Sequence, residues 1–120
     1  MQMSEAFTRA YKEARWHHGS GSGSSPANTA AYREFLRRPG FSMGMYLLPV
    51  GGKDAQHPHT ADEVYIVQRG RAQLDVEGET IDAGPGAVIS VDRGRDHRFL
   101  NVTEDLAVLV IFAPPDNPEA

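Results

Sequence analysis

The sequence predicts an all-β domain, a single sandwich or barrel with one or two short helices ahead of it. Three observations carry this expectation. Short apolar–polar runs recur through the last two thirds of the chain. Glycine and proline turns separate them roughly every 8–12 residues, the rhythm of sandwiches and barrels. No internal repeat divides the 120 residues, and that length suits one domain with one core.

The elements follow in order. From Ser4 to Trp16, Ala6, Ala10 and Ala14 share one helical face, with Ser4 as a candidate N-cap. His18 to Pro26 is a Gly/Ser stretch without core-forming side chains, so residues 1–26 read as an extension and linker and 27–120 as the barrel domain. Asn28 to Leu36 is expected as a short helix, capped by Asn28 and stopped by Pro39-Gly40. Strand signals then take over. They run over Phe41 to Leu48, Val64 to Gln68, Ala72 to Glu77, Thr80-Ile81, Ala87 to Val91, His97 to Val102 and Leu106 to Phe112. Glu77-Gly78-Glu79 is expected to turn a hairpin, and Pro114-Pro115 ends the last run.

Composition removes several function classes. Hydrophobic residues make up 40% and charged residues 23%, as in ordinary soluble domains. The net charge of −4 and the pI of about 5.7 give no electrostatic footprint for nucleic acid or anionic membrane. There are no cysteines, which excludes disulfides, zinc-thiolate sites and thiol catalysis. No apolar stretch suits a signal peptide or a membrane span, so a cytoplasmic address is expected.

His57-Pro58-His59, Glu63 and His97 are the chemistry-bearing residues. Imidazoles and a carboxylate hold divalent transition metals at neutral pH. Side chains alternate along extended backbone, so His57, His59, Glu63 and Tyr65, all odd-numbered, can share one cavity, with His97 arriving from a neighbouring strand. Three neutral imidazoles and one carboxylate against a dication leave a net charge of about +1, enough to polarise an oxygen ligand. Iron, manganese, nickel, cobalt, copper and zinc all fit such a donor set. Tyr65 reads either as a general acid/base or as an aromatic filling the barrel. Phe99 and Asn101 share the parity of His97 and are expected to face the same interior. Met43, Met45 and Leu47 read as core or pocket wall. Gln56 has no assigned role. Arg93, Arg95 and Arg98 read as solvated surface, or as a lure for a carboxylate substrate.

Two stretches carry a family resemblance. Gly51 to Gly70 (GGKDAQHPHTADEVYIVQRG) resembles the first cupin motif, G-x5-H-x-H-x3,4-E-x6-G, at every fixed position. Gly86 to Asn101 (GAVISVDRGRDHRFLN) resembles the second, G-x5-P-x-G-x2-H-x3-N, with Asp92 in place of proline at a turn position that binds no metal. The spacer, Arg71 to Pro85, is 15 residues, a compact length for the family. The resemblance implies a single jelly-roll barrel, a mononuclear site ligated by His57, His59, Glu63 and His97, and a homodimer.

Three functions follow as expectations. The first is a dioxygenase-like enzyme, in which substrate and dioxygen share the metal's open positions. The second is an oxygen-independent lyase, isomerase or decarboxylase using the metal as Lewis acid. The third is a non-catalytic module that binds a small ligand. In each case the partner is a small molecule, not nucleic acid or membrane.

Overall fold

A computed structural model describes residues 15–18, 30–54 and 60–116, with 15–18 as backbone only. Among them every regular element is a strand: β1 Arg15–His18, β2 Ala31–Arg38, β3 Phe41–Leu48, β4 Asp62–Val76, β5 Glu79–Ala83, β6 Val88–Val91 and β7 His97–Ala113. The strands hydrogen-bond in the order β1-β2-β3-β7-β4-β5, with β6 also on β4, and every pairing is antiparallel. No helix among the described residues is long and apolar enough to cross a membrane.

The helix expected over Asn28 to Leu36 is corrected: Ala31–Arg38 is a strand. Pro39-Gly40 turns the chain in two residues, and Phe41–Leu48 then offers a ladder from Arg38↔Phe41 to Ala31↔Leu47. Tyr32, Phe35 and Leu36 sit as readily on a pleated surface as on a helix, so the available partner strand decides. The helix expected over Ser4 to Trp16 lies outside the described residues up to residue 14, while Arg15 and Trp16 belong to β1. Within the stretch read as an extension, β1 adds an edge to the sheet by pairing His17↔Tyr32 and His18↔Ala31.

Two pairs of expected strands prove to be single long ones. Val64–Gln68 and all of Ala72–Glu77 but its last residue lie within β4, and His97–Val102 and Leu106–Phe112 lie within β7. The β4–β7 ladder is continuous but slips in register at Val67/Arg69, Arg69/Arg71 and Arg71/Gln73. These slips are bulges, which bend a strand and change the face it presents. On β4 the buried set is Glu63, Tyr65 and Val67 before the bend, and Ala72, Leu74 and Val76 after it. The inward parity has flipped. Gly70 sits at the hinge with φ of 89°, where a Cβ would run into the Asp105 carbonyl.

This bend builds the site. Glu63 is thirteen residues from Val76 on β4, and Val76 pairs with His97. A straight strand would separate them by about 43 Å. Folding the ladder over brings its two ends together across the core.

Other expectations hold locally. Glu77-Gly78 makes the two-residue hairpin turn, with φ of 49° and 92° at its two positions. On β3 the inward residues are Ser42, Gly44, Tyr46 and Leu48, opposite Phe112, Val110, Val108 and Leu106 of the core. Met43, Met45 and Leu47 therefore lie on the outer face rather than lining the interior; Met45 is nonetheless buried.

Candidate metal centre

Glu63 and His97 approach each other from opposite ends of the folded β4–β7 ladder. His97 Nε2 lies 2.8 Å from Glu63 Oε2, and each side chain is only 1% exposed. Tyr65, inward by the same alternation as Glu63, places its hydroxyl 3.1 Å from Glu63 Oε1 and 2.9 Å from His97 Nε2. Three polar groups thus meet inside an apolar core of Leu48, Val67, Leu74, Phe99 and Val108. Such a cluster is stable only when each member satisfies the others.

The second ring nitrogen defines the histidine. His97 Nδ1 is 2.9 Å from the Arg95 carbonyl oxygen, which can only accept, so Nδ1 carries hydrogen and donates. Nε2 is left to face Glu63. Burial disfavours the charged imidazole, but hydrogen bonds to Glu63 and the Arg95 carbonyl and the charges of Glu63 and Asp54 outweigh it, and the pKa rises above 6.5.

This arrangement fits a metal. A ligating histidine characteristically donates one N–H to a carbonyl, which fixes the ring and aims its other nitrogen at the ion. His97 does so, and Glu63 supplies the carboxylate. The other expected ligands, His57 and His59, lie outside the described residues, as does Gln56. Among the described residues no group of three histidine or acidic side chains converges.

Aromatic rings surround the cluster. Phe99 stacks on Tyr46 with centroids 6.2 Å apart and meets Tyr65 edge-on at 5.1 Å. Phe99 faces inward as its parity required. Asn101 does not: it has φ of 53°, is exposed, and donates its amide to Gln73 Oε1 at 2.6 Å. The ladder passes from Gln73↔Leu100 to Arg71↔Glu104, so Asn101 falls in the bulge where alternation fails.

The arginines are exposed, as a solvated surface requires. Arg93 pairs with Asp62 at 3.2 Å and Arg95 with Glu77 at 2.7 Å, so each already has a carboxylate.

The sequence reading passed over Asp54. This buried carboxylate accepts the Tyr46 hydroxyl at 2.5 Å and the Phe99 N–H at 2.7 Å. Burial first, then the charge and hydrogen bond of Asp54, push the Tyr46 pKa up, so its hydroxyl stays a donor. In sequence Asp54 is one variable position of a glycine-rich turn, and no periodicity marks it.

Comparison with known proteins agrees with this architecture. The cupin domain family profile matches residues 44–112. A protein of Streptomyces coelicolor, itself uncharacterized, is 46% identical over 91 residues, covering 76% of this chain and 87% of that protein. Polyketide synthase CurC of Streptomyces cyaneus is 33% identical over 81 residues, covering 64% of this chain and 51% of that protein. Among solved structures, KdgF from Halomonas sp. superposes with a TM-score of 0.73 at 17% identity, covering 91% of this chain and 94% of that one. That likeness is one of fold alone.

Proposed function

This chain belongs to the cupin domain family, and from that premise we propose that it is a metal-dependent enzyme acting on a small molecule without dioxygen. The reaction class is isomerisation, elimination or decarboxylation. The observation that carries the reading is the Tyr65 hydroxyl, buried and in hydrogen-bond contact with both Glu63 and His97. Redox chemistry at an open metal needs no ionisable hydroxyl there. Proton transfer beside a polarised substrate does.

Glu63 and His97, with His57 and His59, would hold the ion, any of iron, manganese, nickel, cobalt, copper or zinc. A bound dication supplies a Lewis acid that polarises a carbonyl or carboxylate oxygen. The chain's own residues do the rest. Tyr65 Oη gives or takes the proton, with Glu63 Oε1 as the acceptor that keeps the hydroxyl oriented. The Arg95 carbonyl fixes the His97 ring. Phe99 and Tyr46, stacked on each other, exclude water. The name of the S. cyaneus relative makes a polyketide-derived carbonyl compound the first substrate class to try. The homodimer implied by the cupin resemblance completes the reading, and sedimentation of the purified protein tests it.

The enzymatic test uses untagged protein, its metal content measured, incubated under argon and under air with a panel of polyketide-type dicarbonyls. Turnover under argon, giving a product isomeric with substrate or lighter by water or carbon dioxide, is expected. Turnover that stops without dioxygen overturns the reading in favour of a dioxygenase. Tyr65→Phe should retain metal and lose about 100-fold or more in kcat, as loss of an acid/base group does. Full activity in Tyr65→Phe would remove the tyrosine from the chemistry.

A further inference from the structure

The second half of β7 breaks the alternation that the rest of the barrel keeps. In an antiparallel sheet with one wetted face, apolar and polar residues alternate; a strand covered on both faces reads as a continuous apolar run. β7 runs Leu106-Ala107-Val108-Leu109-Val110-Ile111-Phe112 without a polar residue. Val108, Val110 and Phe112 are buried in the core, while Leu109 and Ile111 between them point outward and stay partly exposed.

The apolar surface continues to either side. β7 is the central strand of the five that run β2-β3-β7-β4-β6. Their register lines the outward side chains up in two rows. One passes from Val88 through Ile66, Leu109 and Met45 to Arg33. The other passes from Ser90 through Val64, Ile111 and Met43 to Leu36. No charge interrupts either row before Arg33 at the margin. Val88, at 66%, is the most exposed large hydrophobic side chain among the described residues.

Size and symmetry select the occupant. Five strands about 4.8 Å apart, over six residues at about 3.4 Å each, make a face of about 24 by 20 Å. That footprint, on the order of 500 Å² before side-chain relief is counted, approaches the roughly 800 Å² of accessible surface that each partner buries in a standard interface. It is a sheet face and not the concave cleft that a small molecule takes. A two-fold axis along β7 sets β3 against β4 and β2 against β6. Leu109 then meets its own copy, Ile66 meets Met45, and Val64 meets Met43, the self-complementarity that a two-fold interface requires. Strands of the two sheets stay aligned, an ordinary way for sheets to pack. Arg33 falls at the rim, where interfaces are polar.

We propose that the outward face of β2-β3-β7-β4-β6 is the interface with a second copy of this chain, packed face to face about a two-fold axis along β7. The inference rests on the homodimer reading above and names its surface: a sheet face, not a strand edge.

The test is sedimentation velocity over about a hundredfold range of protein concentration, with wild type expected as a dimer. Leu109→Glu sets two carboxylates against each other at the axis. It should raise the dimer dissociation constant about 100-fold or more, with an unchanged circular dichroism spectrum. Leu109 lies on the central strand, so a dimer joined through the edge of β1, β5 or β6 would not respond to it. Val88→Arg, at an exposed position that the axis sets against the partner's Arg33, should weaken the dimer about tenfold. A folded Leu109→Glu protein that dimerises like wild type would overturn the inference and leave the homodimer reading standing. Wild type that is monomeric throughout would instead bring down the homodimer reading and this inference with it. If Leu109→Glu does not fold, Val88→Arg decides, and an unchanged dissociation constant there refutes the interface.

Discussion

Along β4, Asp62 faces solvent and holds Arg93, while the next residue, Glu63, faces the interior and holds His97. Where the strand that answers it begins, the contrast repeats: Arg95, in the loop just before β7, is exposed and paired with Glu77, and His97 two residues later is buried. The same functional groups, one or two residues apart, thus live under different physics. In the exposed pairs, water screens the charges and competes for each hydrogen bond, so such pairs contribute little to stability. Glu63 and His97 have no water to fall back on, and removing one partner strands the other. The outer pairs guide loops. The inner cluster is the one for which we propose chemistry.

The largest test of this contrast strikes the bend that creates the inner face. Gly70→Ala puts a Cβ against the Asp105 carbonyl at a φ of 89°. It should destabilise the protein by about 3 kcal/mol or more, combining left-handed strain with a backbone clash. Urea unfolding measures it; a loss under about 0.5 kcal/mol, the ordinary surface value, would mean that the bend does not depend on glycine.

A smaller effect, but one specific to the inner pair, lies in pH. The His97 pKa is raised in the folded state above 6.5. Protonated His97 is therefore favoured by folding, and its stabilisation is fully present below about pH 6.5 and lost as pH rises through the folded value. Metal-free protein should be more stable at about pH 6 than at about pH 8.5, and Glu63→Gln should flatten that slope. Metal affinity should run the opposite way, falling as pH drops and protons compete for Nε2. Parallel slopes in the two measurements would contradict His97 as a ligand.

The smallest effect belongs to the outer pair. Arg93 holds Asp62 below the usual carboxylate value through its side chain and its backbone N–H, but both groups are exposed. Arg93→Ala retains the backbone donor and should leave the thermal midpoint and metal uptake unchanged within error. A marked loss of metal would join the outer pair to the site and erase the distinction.

Much of this molecule was legible in its residues. Gly/Pro punctuation and apolar runs located β3, β5, β6 and both halves of β4 and β7, and the two glycine-framed motifs pointed to Glu63 and His97 as residues that would meet. Parity placed Tyr65 and Phe99 correctly, because both lie in regular stretches of strand. It failed for Asn101, which sits in a bulge, and it left open which face of β3 turns inward. Ala31–Arg38 was misread because its composition suits helix or strand, and only the fold-back of β3 supplies the deciding ladder.

The sequence by itself determined the strand punctuation, the all-β class and the family, since these depend on local alternation, turn residues and motif spacing. The tertiary structure decided that β4 and β7 are single strands folded over at Gly70, that Glu63 and His97 touch, and that Asp54 bridges loop to ladder. The physical reason is register. Alternation reports which face a residue shares with its neighbours, but bulges shift that phase, and distant ends meet only where the bent ladder brings them together.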